Sequence, residues 1–332
     1  MTQPVGATRA AHPAIAAYLD HLRAANKGST AAGYAGFLRC YASWLALAGL
    51  DALTVTGDDL RRFQVWLADT HRTAVGNPLA LTTQATVIAV VRSLYRHLLG
   101  AGVLVLDPAA DLVPPRPPVS PTVRKDHLDP QEATALLDTL AAQVASSTGD
   151  ARALALRNLA LVSLALATGR RCAGLMAIDV ADLDPDRDEI RVGWEKGKAG
   201  RVLPVAAWAM AVARRYVRDG RPALLDGRES AALFVSQRAG RLCPRGFAVV
   251  LAEAVAATIA ANPDLTALPT KRVSTHSLRV SFAAMLFANG CNIRILNELM
   301  LHTSLTTTAR YTPIPIDDLR RVLLATHPSA SC

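Results

Sequence analysis

Six side chains in the second half of the sequence are of types that could together break a phosphodiester bond. Arginines bind phosphate oxygens through paired N–H donors, and lysine and histidine can donate or accept protons. A tyrosine hydroxyl, whose pKa is normally near 10, becomes a nucleophile when cations surround it. In chain order the six residues are Arg171, Lys196, His276, Arg279, His302 and Tyr311. The set predicts attack of a phenol on a phosphodiester without a metal ion or any other cofactor.

The arginines and the first histidine lie in short patterns that each have a structural explanation as well. His276 and Arg279 are three residues apart at the predicted start of a helix, so they share one face that could bind a phosphate. Arg171 follows Thr168-Gly169 at the end of an apolar helix, where Arg170 is an equal candidate. Solvation or bonding to backbone carbonyls is the commoner role for each, so the combination carries the prediction.

The lysine and the tyrosine are equally ambiguous when taken singly. Lys196 lies in the turn between two predicted short strands, with Lys198 and Arg201 as close rivals. A charged turn is usually only solvated. Tyr311 could pack on a helix end, which is the commoner role of a tyrosine.

Composition limits the class of protein before any site is considered. The chain has 332 residues, 51% of them hydrophobic, with a net charge of +9. This length allows two domains, and the basic balance on both sides of residue 126 favours a polyanion such as nucleic acid. Five scattered cysteines without a CxxC pair argue against a zinc site or a disulfide framework and favour a reducing compartment. The longest apolar stretch, near 159–167, is too short to span a bilayer, and no signal peptide is evident, so we expect a cytoplasmic protein.

Hydrophobic periodicity predicts two helical units joined by a proline-rich segment. Apolar residues at helical spacing predict four helices in the first unit, with short connections typical of a bundle. Six prolines between residues 108 and 121 predict an extended linker. In the second unit, two short strands at 189–194 and 201–205 are predicted around a turn. The predicted helices of that unit cover 130–145, 150–167, 172–178, 206–219, 245–260, 277–288, 292–300, 304–311 and 316–325.

The order of the candidate residues resembles that of the tyrosine recombinases, also called phage-type integrases. The family's Thr-Gly-x-Arg box ends here at Arg171, and its hairpin lysine pattern fits Lys196. Its His-x-x-Arg pair corresponds to His276 and Arg279. Because several separate boxes occur in the family's order, the resemblance is specific and covers most of the chain.

The resemblance extends to the C-terminal boxes and to the domain plan. His302 matches the histidine of the family's Leu-Gly-His box, and the nucleophile Tyr311 follows nine residues later, as in the family. The implied fold is mainly α with a small β-hairpin or sheet. It comprises a four-helix core-binding domain at 1–105, a linker at 106–126 and, at 127–332, a catalytic domain of the DNA breaking-rejoining enzyme fold with a C-terminal docking helix.

The resemblance also implies a role for each residue. Tyr311 would attack a DNA phosphodiester and form a 3′-phosphotyrosyl link, while the two arginines clamp the nonbridging oxygens. Lys196 would protonate the departing 5′-oxygen, and His302 would hydrogen-bond the phosphate. For His276, a role as base and a role as hydrogen-bonding partner both stay open.

Partners follow from the family in the same way. The expected partner is double-stranded DNA, on which dimers and tetramers exchange strands through a Holliday junction, with accessory DNA-bending proteins as further partners. No membrane is expected to take part. Phage integration, transposon movement, integron shuffling and chromosome dimer resolution are all compatible with the sequence.

Three positions depart from the family pattern and keep two alternatives open. Gly174 stands where the family has a glutamate, Leu301 replaces the glycine before the histidine and could shift that turn, and Val280 replaces a frequent histidine. A type IB topoisomerase-like enzyme would cleave DNA in the same way without exchanging strands. A DNA-binding accessory protein with a decayed active site would not cleave DNA at all.

Overall fold

The structure, a computed structural model, describes residues 12–25, 28–73, 76–116, 126–193 and 200–301. The chain divides into two compact units, Met1–Val123 and Arg124–Cys332. The predicted helices at 304–311 and 316–325 lie outside the described residues.

The first unit contains the four predicted helices. They are α1 (Pro13–Ala24), α2 (Gly28–Ala48), α3 (Gly57–Asp69) and α4 (Leu81–Gly100). A capping box formed by Thr56 and Asp59 starts α3 and satisfies N–H groups that have no partner within the helix. Between α2 and α4, the buried hydroxyls of Tyr41 and Tyr95 hydrogen-bond to each other, and Tyr95 donates to the carbonyl of Ala52 at 2.9 Å. The polar tips of both rings are therefore satisfied inside the core.

The second unit is built around one helix that is apolar on nearly every side. Its first two helices are α5 (Pro130–Ser146) and α6 (Gly149–Thr168). The most apolar stretch of α6 is 72% buried, as is typical of a core helix that other elements surround. By length and composition alone, α6 could also cross a membrane. The same holds for the helix Pro244–Ala261, whose most apolar stretch is 28% buried.

A short helix and a small sheet follow α6. These are α7 (Cys172–Met176), β1 (Leu183–Asp184), β2 (Glu189–Val192) and β3 (Arg201–Pro204), with an antiparallel sheet order β1-β2-β3. In β2, Ile190 and Val192 are buried while Arg191 is exposed, the alternation expected when one face of a strand covers a core. The predicted hairpin is confirmed as β2 and β3, and β1 is an additional strand.

The helix predicted at 206–219 is interrupted. It is observed as α8 (Ala207–Arg215), a π-helical turn at Tyr216–Gly220 and α9 (Arg221–Leu225). Pro222 lacks the N–H that would bond to the carbonyl four residues earlier, so the regular helical ladder is broken at this point.

Three further helices complete the described part of the second unit. They are α10 (Pro244–Ala261), α11 (Thr275–Ala288) and α12 (Ile293–Leu299). Ser274 is the N-cap of α11, the helix predicted at 277–288, and it shares a capping box with Ser277. The helix therefore begins two residues earlier than predicted, and His276 and Arg279 both lie within it.

Candidate active site

The two adjacent arginines that follow α6 differ in solvent exposure. Gly169 follows the helix with φ +57°, a left-handed conformation that commonly ends helices. After this turn, Arg170 is buried at 4% exposure, whereas Arg171 is exposed and is the N-cap of α7. Of the two, Arg171 therefore presents its guanidinium at the surface, where a phosphate can approach.

Close packing against α11 requires a glycine at position 169. A Cβ atom at Gly169 would lie 2.3 Å from Cδ1 of Phe282, well inside van der Waals contact. The positive φ adds a second penalty for any side chain. The turn before Arg171 is thus held against the helix that carries His276 and Arg279.

Arg279 links two loops of the site. Its side chain is only 2% exposed, and Nη1 donates to the carbonyl oxygen of Gly169 at 2.5 Å. Nη2 donates to the carbonyl oxygen of Met300 at 2.6 Å. One guanidinium therefore joins the turn that precedes Arg171 to the end of α12, which is followed directly by the segment containing His302.

The turn after α12 has a leucine in a left-handed conformation that favours glycine. Leu301 has φ +51°, and its N–H donates to the carbonyl of Glu298 at 3.0 Å. Its side chain is buried in the hydrophobic core of the second unit. A left-handed non-glycine residue costs about 1–2 kcal/mol, and burying a leucine offsets a cost of that size. Core packing of the leucine therefore compensates for the backbone strain of this turn.

His276 is the second residue of α11, in an electropositive environment. Its pKa is lowered from the usual value, first by burial and then by the charges of Arg279 and Arg171. The neutral imidazole is consequently favoured near neutral pH, with one nitrogen able to accept a proton and the other able to donate a hydrogen bond. Both roles left open for His276 fit this state. The three described candidates lie within electrostatic reach of one another.

The first residues of the second unit hydrogen-bond to α11 and to the loop that precedes it. The N–H of Leu128 donates to Oγ of Ser281 at 2.8 Å, and Oδ1 of Asp126 accepts from the N–H of Arg272 at 3.2 Å. Nearby, Lys271 forms a largely buried ion pair with Glu132, whose side chain is 2% exposed. These contacts fix the loop before α11 and the middle of α11.

A surface ion pair joins the hairpin to the helix before His302. Arg201, the first residue of β3, pairs with Glu298 of α12. Lys196, His302 and Tyr311 lie outside the described residues. The hairpin strand that follows Lys196 and the helix that precedes His302 are nevertheless held together.

The sequence patterns did not identify several residues that position the candidate site. Gly169 was visible in the Thr-Gly pair, but nothing in the sequence links it to Phe282, or Lys271 to Glu132, because those partners are far apart along the chain. Gly174 is half-buried within α7 and brings no carboxylate to the site. Within the described ranges, no group of three or more His, Cys, Asp or Glu side chains is arranged to hold a metal ion.

Comparison with known proteins shows to which family the chain belongs. The model of the phage integrase family matches residues 126–315. Tyrosine recombinase XerD of Corynebacterium glutamicum is 32% identical over 317 residues, covering 94% of this chain and 97% of that protein. Tyrosine recombinase XerC of Mycobacterium leprae is 33% identical over 313 residues, covering 93% and 96%.

Two solved structures share the fold. A XerH site-specific recombinase bound to palindromic difH substrate in a post-cleavage complex has a TM-score of 0.65 at 17% identity, covering 90% of this chain and 79% of that one. The Tn1549 transposon integrase in complex with circular intermediate DNA has a TM-score of 0.64 at 15% identity, covering 93% and 98%. With the family match and the curated relatives, these findings show that the chain belongs to the phage integrase family and is a tyrosine recombinase.

Proposed function

We propose that the protein cleaves and rejoins double-stranded DNA at specific sites through a covalent link between Tyr311 and a 3′-phosphate. The observation that carries the proposal is the clamp made by Arg279. Its two hydrogen bonds tie together the carbonyls of Gly169 and Met300, which lie two residues before Arg171 and His302 respectively. A link between these boxes is what a shared phosphate site requires.

The roles proposed for the described side chains differ with their burial. Arg171 is exposed, so it would meet a nonbridging phosphate oxygen and stabilise the charge that develops in the pentavalent transition state. Arg279 lies beneath and would hold the surrounding loops while contributing positive charge to the same centre. His276, favoured as the neutral ring, would accept the Tyr311 proton or hydrogen-bond the phosphate.

The remaining roles complete a balanced reaction. The Tyr311 oxygen forms a bond to phosphorus as the bond to the 5′-oxygen breaks, and Lys196 supplies the proton that this oxygen takes up. His302 would donate a hydrogen bond to the phosphate. The phosphotyrosyl ester conserves the energy of the phosphodiester, so attack by a 5′-hydroxyl can reseal the strand without ATP.

The same proposal covers organisation and assembly. Residues 1–105 would form the core-binding domain, 106–126 the linker and 127–332 the catalytic domain, in a cytoplasmic protein. Dimers and tetramers on paired DNA sites would exchange strands through a Holliday junction, with accessory DNA-bending proteins assisting. The similar solved structures include a XerH recombinase and the Tn1549 integrase, each bound to DNA, and a lambda integrase dimer bound to a core site.

Trapping the covalent intermediate tests the proposal. Cells expressing the chain are lysed in denaturant, DNA that remains bound to the protein is sequenced, and the modified peptide is identified by mass spectrometry. We expect a recurrent DNA site and a nucleotide on Tyr311, both absent in Tyr311→Phe and retained in the control Tyr34→Phe. A DNA adduct that persists in Tyr311→Phe would overturn the assignment.

A further inference from the structure

Two cysteines far apart in the sequence lie close together beside the candidate site. Cys172 is the first residue of α7, and Cys243 is the N-cap of α10, which packs against α7. Sγ of Cys172 is 4.0 Å from the carbonyl oxygen of Pro244, the residue next to Cys243. Burial raises the pKa of the Cys172 thiol, a hydrogen bond with Thr275 lowers it, and the nearby Cys243 raises it. The two thiols are therefore neighbours in the folded unit.

The position of this pair connects it to both exposed candidates for phosphate chemistry. Cys172 directly follows Arg171, and Thr275, which hydrogen-bonds the Cys172 sulfur, directly precedes His276. A new bond at the Cys172 sulfur would compete with its hydrogen bond to Thr275 and would change the packing of the residue next to Arg171. Small movements of these groups matter because the phosphate donors act only when they are held in place.

Helix capping does not by itself explain a cysteine at position 243. Its sulfur accepts a long hydrogen bond from the N–H of Gly246 at 3.4 Å. Serine would make the same contact with a better acceptor and is among the preferred N-cap residues. Cys243 is also exposed, whereas Cys172 is half-buried, so a small oxidant in solution reaches Cys243 first.

We propose that Cys172 and Cys243 are a modification site that forms a disulfide on oxidation by a peroxide, and that this bond switches off DNA cleavage. The sulfur of Cys243 attacks one peroxide oxygen, giving a sulfenic acid as the other oxygen leaves as water. The sulfur of Cys172 then displaces the sulfenic oxygen, which leaves as a second water. Two thiols lose two electrons and two protons to one peroxide, and a dithiol reductant reverses the change.

Mapping the bond tests the modification without any DNA. The reduced full-length protein is treated with hydrogen peroxide, its remaining thiols are alkylated, and peptides are analysed without reduction. We expect a peptide linking Cys172 to Cys243 that disappears on reduction, is missing in Cys243→Ser and persists in the control Cys291→Ser. Absence of this linked peptide, or pairing of Cys172 with a different cysteine, overturns the proposal.

The effect on the site has two readouts. The inference of a switch rests on the proposed cleavage by Tyr311, and we expect oxidation to slow adduct formation by about 100-fold or more, as for loss of one positioned donor. Cys243→Ser keeps a good cap and should cleave equally fast with and without peroxide. Equal loss in Cys243→Ser, or full activity of the disulfide form, overturns the switch.

The second readout separates failure of the switch from failure of the cleavage proposal. In DNA-free protein, oxidation should move the His276 ring resonance in the parent chain and leave it unchanged in Cys243→Ser. An unchanged resonance in the oxidised parent chain contradicts the switch, whatever its activity. If the reduced protein forms no adduct with DNA, the proposed cleavage fails, while the linked peptide and this resonance still decide the redox inference.

Discussion

Replacing Arg279 with methionine should destabilise the second unit far more than any change at Arg171. The two hydrogen bonds of Arg279 to the carbonyls of Gly169 and Met300 come from a charged donor, and such bonds contribute about 1.5–3 kcal/mol each. Methionine fills a similar volume, so the cavity term is small. The free energy of unfolding should therefore fall by about 3–6 kcal/mol. A typical domain has a free energy of unfolding of roughly 5–15 kcal/mol, so this is a large share of it.

The matched control is Arg171→Ala. Arg171 is exposed, so its truncation should change the free energy of unfolding by less than about 1 kcal/mol. Its effect should appear instead in chemistry, as a fall of about 10²–10³ in the rate of adduct formation. Arg279→Lys should fall between the two, because a single ammonium cannot reproduce the planar fork that reaches both carbonyls.

Urea denaturation of the DNA-free protein measures these differences. Circular dichroism and tryptophan fluorescence are recorded together, and the transition of the second unit is fitted separately from that of the first. If Arg279→Met and Arg171→Ala lose equally little stability, the two carbonyl bonds do not hold the site together, and the reasoning from the clamp is wrong.

Three other predictions concern Leu301, His276 and Lys271. At Leu301, glycine should be more stable than alanine by about 1 kcal/mol in thermal denaturation, because both lose the buried side chain but glycine relieves the positive φ. Equal stabilities would argue against strain. Arg171→Gln should raise the pKa of His276 measured by NMR, since it removes a nearby positive charge. Because folding favours the neutral ring, this contribution to stability is complete above pH 6.5 and is lost as the pH falls below it. Lys271→Met should cost about 3–5 kcal/mol by leaving a buried carboxylate uncompensated, and adding Glu132→Gln should restore part of the loss in a double-mutant cycle.

Periodicity was sufficient to predict the long helices and the hairpin, because each buries one face with a repeating pattern. It did not predict β1, whose two residues are too few to show a period. It extended the helix at 206–219 through residues that form a π-helical turn, because the pattern of apolar residues does not register a change in hydrogen bonding before Pro222.

The candidate site was predictable by residue but not by contact. The sequence named Arg171, His276 and Arg279, yet it could not show that Arg279 is buried and bonded to two carbonyls. It left Arg170 and Arg171 ambiguous, because only the left-handed turn at Gly169 decides which of them is exposed. Such information depends on backbone geometry and on distant partners such as Gly169, which lies 110 residues before Arg279.

Two hydrogen bonds connect the start of the second unit to α11 and to the loop before it. Asp126 is bonded to the backbone of Arg272, just before α11, and Leu128 is bonded to Ser281 within it. Arg272 and Ser281 lie on opposite sides of His276 along the chain, so a displacement of residues 126–128 would reach the backbone on both sides of this candidate residue.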